Sequence, residues 1–367
     1  MLLHEHLENG ADKNPNFPFS EFEGNSLSYQ EANLLSNQLA NKLVSEGLEV
    51  GDRFAFLAKN CTEMAIMYYA ASKVGAVPVP LNYRLADQEW AYIINDSEAK
   101  LIIVKGNEYS DRINQISSEL KNVKKYISIS LDNSIEKFQD FYDWLSDSSN
   151  EKPTLKIHEN DDVYQMYTSG TTGHPKGAVL LQRNVAANIR QYLNSLTLPM
   201  PSRTLLVAPM YHAAAMINMC GCIAIGGTIV IQEDFIPQDV VDCLANEKIT
   251  HTVLVPAMIQ ACLVSVPNVA SNEYNDLDQI HYGASPIAPE TLKKAMDVFK
   301  CKFGQGFGMT ETVAVICLMT PEEHIRALNE KPELLKSCGR PAIDTQVEIR
   351  DENDNPLPIG EIGQICA

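Results

Sequence analysis

The chain is short of positive charge. Against 47 Asp and Glu it carries only 29 Lys and Arg, a formal net charge of −18 over 367 residues. A surface of that sign repels nucleic-acid backbones and anionic lipid, which excludes generic binding to either. Any anionic ligand must be gripped by local donors. The N-terminus, Met1-Leu2-Leu3-His4-Glu5-His6-Leu7-Glu8, lacks a basic region leading into an apolar core, so no signal peptide is evident. Long apolar runs are lacking too. The most apolar stretch, 213–231, is interrupted by Asn218, Gly221, Gly226 and Gly227, and reads as helix, turn and strand rather than a membrane span. No Cys-x-x-Cys pair occurs among nine scattered cysteines, which points to reduced, mostly buried thiols in a cytoplasmic protein. What is present, 45% hydrophobic and 21% charged residues, belongs to a globular protein long enough for a large core.

Hydrophobic periodicity alternates between strand and helix. Ser28 and Glu31 form a capping box, Ala32, Leu35, Leu39 and Leu43 share a helical face, and Gly47 stops it. Strands are expected at 53–58, 77–80, 101–104 and 126–129. Helices are expected from a second capping pair, Asn60 and Glu63, from Asp87, and over 110–120 and 135–145. A polar connection, 146–162, leads to further strands at 163–167, 178–181, 204–208, 228–231, 251–255, 279–282 and 302–307. Between them lie helical patterns at 183–196, 214–225, 238–246, 257–264 and 289–299. Such alternation predicts an α/β fold: two stacked α/β subdomains with mostly parallel sheets, about 1–150 and 160–312. The texture then changes to short strand-like segments between turns, a small β-rich portion over 313–367.

The stretch Tyr167-Thr168-Ser169-Gly170-Thr171-Thr172-Gly173-His174-Pro175-Lys176-Gly177 stands out. It lies between two apolar-leaning runs, as a loop between strands. Its glycines allow close backbone approach, and its hydroxyls, N–H groups and Lys176 suit phosphate oxygens. A plain polar hairpin loop is the alternative. It is not a Walker A loop or a dinucleotide fingerprint, because both lead into a helix. Three more stretches follow strands, where α/β folds take ligands. Gly304-Gln305-Gly306-Phe307-Gly308-Met309-Thr310-Glu311-Thr312 offers a stacking ring, a hydroxyl and a carboxylate. Pro209-Met210-Tyr211-His212 places a histidine before a small-residue helix. His281-Tyr282-Gly283-Ala284-Ser285-Pro286 carries a glycine turn.

Together these four stretches resemble one family, the adenylate-forming superfamily of acyl-CoA synthetases, adenylation domains and firefly-type luciferases. Residues 167–177 are close to its signature phosphate loop. Phe307-Gly308-Met309-Thr310-Glu311 is similar to its Tyr-Gly-x-Thr-Glu element, and Pro209–His212 to its Pro-x-Phe-His, with Phe for Tyr and Tyr for Phe respectively. Gly283–Pro286, Gly75–Asn82 and Gly360–Gly363 also fit, in the family's order. The resemblance implies activation of a carboxylic acid with ATP and Mg²⁺ to an acyl-adenylate, followed by thioester formation with CoA. Alternatives are loading of a carrier protein, or a non-catalytic nucleotide-binding module. It further implies that Thr168, Ser169, Gly170, Thr171, Thr172, Gly173 and Lys176 hold the β- and γ-phosphates. Thr310 touches the α-phosphate, Glu311 takes Mg²⁺, and Phe307 stacks on adenine. Gly283, Ala284, Ser285, Gln305, Gly306, Gly308 and Met309 complete the nucleotide site. His212 lies near the acyl carboxylate and, with Thr310, is the catalytic candidate. His212, Ala213, Met216, Asn218, Val255, Gly283 and Gly304 form the acyl pocket. No Asp or Lys in 213–225 pairs with an ammonium, which tilts the expected substrate toward a fatty, aryl or other non-amino acid. The family's ribose-binding aspartate and catalytic lysine lie beyond Ala367, so the chain is expected to correspond to the large N-terminal domain alone, to bind nucleotide weakly and to turn over poorly.

Overall fold

The computed structural model describes residues 1–129, 135, 137–168, 173–196 and 198–367. Two sheets carry the architecture. Among the described residues the smaller has five strands, all parallel, in the spatial order Val77–Leu81, Arg53–Leu57, Leu101–Lys105, Lys125–Ile129, Phe138–Asp140. The larger has nine. Its parallel centre comprises Lys302–Phe307, Gln279–Gly283, His251–Val253, Arg203–Leu206, Thr228–Ile231 and Pro18–Phe22. Antiparallel strands close both edges: Asn25–Ser28 on one side, Cys317–Met319 and Arg340–Pro341 on the other.

Period-2 alternation sorts side chains into three cores. Phe54, Phe56, Leu101 and Ile103 of the small sheet face the same core as Leu206, Ile229 and Ile231 of the large one. Their sequence neighbours Ala55, Leu57, Ile102 and Val104 face an outer core beneath the helices Asp87–Asp96 and Asn107–Ile116. Leu205, Val230, Ile280 and Phe303 face the opposite outer core, under Pro237–Asn246, Pro256–Ser265 and Pro289–Phe299. The layers therefore run helix, sheet, helix, sheet, helix. A helix between two sheets must be apolar all round. Thr62–Val74, buried without a break from Met64 onward, and Ala213–Ala224 meet that demand.

The helix after Ser28 starts as expected. Ser28 Oγ accepts from Glu31 N–H, and the Glu31 carboxylate accepts from Ser28 N–H at 2.8 Å. Asn60 corrects the sequence reading. It caps no helix; the cap position is Cys61, without a side-chain bond. The buried Asn60 amide instead donates to the carbonyls of Ala208 and Gln232, both at 3.1 Å, and accepts from Met210 N–H at 2.8 Å. It ties the small sheet to strand ends of the large one. The helix expected over 135–145 is only Phe141–Leu145, because Asp140 caps Tyr142 and Asp143 and starts the helix there. Sheet membership also crosses the expected division lines. Pro18–Ser28 belongs to the large sheet, and Cys317–Met319 extends it, so of the described strands after residue 312 only Glu348–Arg350 and Gln364–Cys366 stand apart as a β-ribbon. Among the described residues no helix is long and apolar enough to cross a membrane.

Candidate active site

Four neighbouring parallel strands of the large sheet release their chains at the same end. Arg203–Leu206 leads to His212, His251–Val253 to Val255, Gln279–Gly283 to Ala284, and Lys302–Phe307 to Thr310. Their loops enclose a cavity of about 310 Å³, within the size range of small-molecule sites. The carboxyl ends of strands in an open α/β sheet are where ligands bind. Of the residues expected at the site, His212, Ala213, Val255, Gly283, Ala284, Gly306, Gly308, Met309 and Thr310 line this cavity.

Backbone crowding explains two of the glycines. Gly283 pairs with Gly306 across adjacent strands, and a methyl group on Gly283 would overlap the Gly306 carbonyl. One on Gly308 would overlap the Ala314 carbonyl. Two non-glycine residues beside the cavity hold positive φ: Ala284 at 65° and Val313 at 69°. Such conformations cost on the order of 1–3 kcal/mol each, and concentrate at ligand sites.

His212 stands at the N-cap of Ala213–Ala224, where its carbonyl accepts from Met216 N–H at 3.1 Å. Its ring lies against Tyr211, centroids 4.4 Å apart. Arg84 donates to the Tyr211 hydroxyl at 3.1 Å and lies over the Tyr83 ring. His212 itself is exposed at the rim of the cavity, but desolvation by the surrounding protein, then the Arg84 charge, lower its pKa from the ordinary value. A neutral imidazole can hydrogen-bond an incoming carboxylate group's surroundings through one N–H and one lone pair.

The phosphate-loop candidate is flanked by paired strands, Asp162–Thr168 antiparallel with Lys176–Leu181, so the expected strands on either side are present. Thr168 and Lys176 face each other across its mouth. Gly173 has φ 111° and is exposed, as is Lys176, which has no acidic partner among the described residues. Ser169, Gly170, Thr171 and Thr172 lie outside the described residues. The hairpin is anchored to the small sheet's side of the molecule. The Tyr167 hydroxyl donates to Asp96 at 2.6 Å, and burial with that carboxylate raises the Tyr167 pKa. His174 stacks on Tyr92, centroids 4.9 Å apart. The strand Lys176–Leu181 packs beside the turn Thr310–Thr312.

Other expected residues fall elsewhere. Met216 is fully buried, with its Sδ 3.4 Å from Cys220 Sγ, and Asn218 is buried and bonded to Tyr192; neither lines the cavity. Gly304 lies under the His281 ring, whose space a side chain would take. Gln305 and Phe307 are half-buried on their strand, and Ser285 and Glu311 are exposed. Among the described residues no three potential metal ligands cluster. A single carboxylate, Glu311, flanked by the Thr310 and Thr312 hydroxyls suits Mg²⁺, which takes one or two side chains and completes its shell with water and substrate phosphates.

Tyr192 and His281 also line the cavity; sequence reasoning assigned no role to Tyr192 and marked His281 only as the start of the stretch 281–286. The available signal was a histidine at an inward position of a central strand, alternating with the outward-facing Ile280 and Tyr282.

The sequence profile of the AMP-binding enzyme family matches residues 7–367. The chain is 29% identical over 364 residues to the fatty acid–[acyl-carrier-protein] ligase ScoC of Streptomyces coeruleorubidus, covering 97% of this chain and 66% of the relative. It is 30% identical over 358 residues to the 2-succinylbenzoate–CoA ligase of Oceanobacillus iheyensis, covering 97% and 68%. It thus spans just under two thirds of the length of the first of these relatives. Among solved structures, the inhibitor-bound N-terminal domain of FACL13 from Mycobacterium tuberculosis superposes with a TM-score of 0.89 at 26% identity, covering 99% of this chain and 88% of that one. With this match over almost its whole length, the chain belongs to the AMP-binding enzyme family.

Proposed function

We propose that this chain carries the ATP- and acid-binding site of an acid–thiol ligase. The carboxylate oxygen of a non-amino carboxylic acid attacks the α-phosphorus of ATP. The bond from that phosphorus to the bridging oxygen breaks, pyrophosphate leaves, and an acyl-adenylate remains. A thiol, that of CoA, then attacks the acyl carbonyl and AMP departs. The observation that carries this reading is the convergence of His212, Gly283, Ala284, Gly308 and Thr310 on one cavity at the carboxyl ends of parallel strands.

In this reading the chain contributes by positioning and by neutralising charge. Thr168, Gly173 and Lys176 at the hairpin mouth, with 169–172, hold the β- and γ-phosphates and so the departing pyrophosphate. The Thr310 hydroxyl donates to the α-phosphate. Glu311 holds Mg²⁺, which supplies charge neutralisation on the phosphates. Gly283 and Ala284 let adenine approach the backbone, with Ser285, Gln305, Gly306 and Met309 around it and Phe307 as the stacking ring. His212, neutral beside Arg84, lets the acid's carboxylate approach without locking it in an ion pair. Transfer to a carrier protein is the second reading, favoured by the likeness to ScoC. Carboxylate-dependent exchange of labelled pyrophosphate into ATP tests the first half-reaction. Comparison of CoA with a phosphopantetheinylated carrier tests the second. No exchange and no nucleotide binding across a broad acid panel would sink the proposal.

A further inference from the structure

Behind the cavity three rings meet edge to face: Tyr192 on the helix Gln182–Asn194, His251 on His251–Val253 and His281 on Gln279–Gly283. Their centroids are 6.1, 5.8 and 5.6 Å apart. Tyr192 and His281 reach the cavity wall. Two of the three polar groups are already engaged. The Tyr192 hydroxyl donates to Asn218 Oδ1 at 2.8 Å and lies 2.6 Å from His251 Nε2. A hydroxyl has one proton, so His251 Nε2–H is the donor in the second bond.

His281 differs. It is 4% exposed, and among the described residues its imidazole makes ring contacts but no hydrogen bond. Buried polar groups are nearly always paired, so an unpaired one facing a cavity is set up for a ligand. Gly304 beneath it makes the space, since a side chain there would overlap the imidazole.

We propose that His281 selects the acid: it hydrogen-bonds the far end of the acyl group, so the substrate carries an uncharged polar group there, such as a phenolic hydroxyl or a ketone. This rests on the acyl-adenylate reading above. Among the described residues no Lys, Arg, Asp or Glu lines the cavity, so a distal ammonium or second carboxylate meets no counter-charge from them. Burial, with His251 and His324 nearby, keeps the imidazole uncharged, with one donor and one acceptor to offer. Ala213, Ile217, Val253 and Leu318 form apolar sides that suit a ring or a short chain. A plain hydrocarbon end would leave His281 unpaired.

The test uses acyl-sulfamoyl-adenosines as stable acyl-adenylate mimics, titrated calorimetrically into the 367-residue chain. The 4-hydroxycinnamoyl form should bind the wild-type chain about tenfold more tightly than the cinnamoyl form, and both more tightly than the dodecanoyl form. In His281→Leu the hydroxyl preference should fall to within about twofold, and in His281→Gln part of it should return. Reading a ratio cancels any uniform loss of affinity. A ratio unchanged in His281→Leu, or a wild-type preference for the unsubstituted or dodecanoyl tail, overturns the inference while leaving the acyl-adenylate reading intact. Failure of the wild-type chain to bind AMP or any mimic overturns that reading and the inference with it. If His281→Leu does not fold, the wild-type ratio and His281→Gln still decide the matter.

Discussion

Acidification should destabilise this fold through two histidines that cannot accept a proton while folded. Burial drives the pKa of His251 down to about 3 and that of His281 well below its ordinary value. In the unfolded chain both titrate near 6.5. A depressed folded-state pKa means that the full contribution is present above about pH 6.5 and is lost as pH falls toward the folded value. At pH 7 an unfolded histidine is about a quarter protonated, and at pH 5.5 about nine-tenths. Integrating between these limits gives about 1.2 kcal/mol for each residue, or about 2.5 kcal/mol for the pair. His4, His6 and His324, also lowered mainly by burial, add to the loss. Urea unfolding at pH 7.0 and 5.5 measures it. With a slope near 3 kcal/mol per molar, the midpoint should fall by about 0.8 M or more. His251→Gln retains a donor toward Tyr192 but does not titrate, so its pH loss should be about 1.2 kcal/mol smaller than that of the wild type. Equal midpoints at the two pH values, or an identical pH loss in the variant, would refute the reasoning.

Three further outcomes follow from the geometry. Gly308→Ala pushes a methyl into the Ala314 carbonyl; it should cost about 2–3 kcal/mol, lower Tm by about 3 °C and weaken AMP binding at least tenfold, and an unchanged Tm and affinity would contradict the packing argument. Lys176→Ala should weaken ATP binding by about tenfold while AMP binding stays within about twofold, as competition titrations can show; equal losses for both nucleotides would place the lysine elsewhere. Glu21 pairs in a bidentate manner with Arg203, at 2.8 and 2.9 Å across the large sheet, and that hydrogen bonding holds its pKa below the usual carboxylate value. Because both side chains are partly exposed, Glu21→Gln should cost only about 0.5–1 kcal/mol above pH 5, a difference that fades as pH drops through the lowered pKa; a difference constant down to pH 3 would be inconsistent with the linkage.

The strands and helices were legible because periodicity is a local property. The alternation of Phe54, Ala55, Phe56 and Leu57 encodes two opposite cores, and Ser28 with Glu31 encodes a helix start. Sheet membership was not local. Pro18–Phe22 pairs with Thr228–Ile231, more than two hundred residues away, and nothing in its five residues names that partner. Asn60 shows the same limit: its capping pattern was locally sound, but three backbone groups of the other sheet claimed its amide. At the site, glycine and hydroxyl spacing singled out loops from which Gly283, Gly308 and Thr310 come together on one cavity, because backbone approach to a ligand demands those residue types. Tyr192 escaped notice, and His281 was noted without a role, because both lie inside a helix or strand, where a polar residue is ordinarily read as part of the packing. Which residues of the helix Ala213–Ala224 reach the cavity depended on the layer it occupies. Ala213 and Ile217, themselves part of the central core, also line the cavity, whereas Met216 lies in that core alone.

The central claim is that one cavity, between the loops after the parallel strands, holds an acyl-adenylate. A crystal structure of the 367-residue chain with 4-hydroxycinnamoyl-sulfamoyl-adenosine tests it most directly. The account predicts adenosine against Gly283 and Ala284, the sulfamoyl group beside Thr310, and the acyl end directed past His212 toward His281. The mimic bound at another surface, with this cavity closed or filled by solvent, would contradict it.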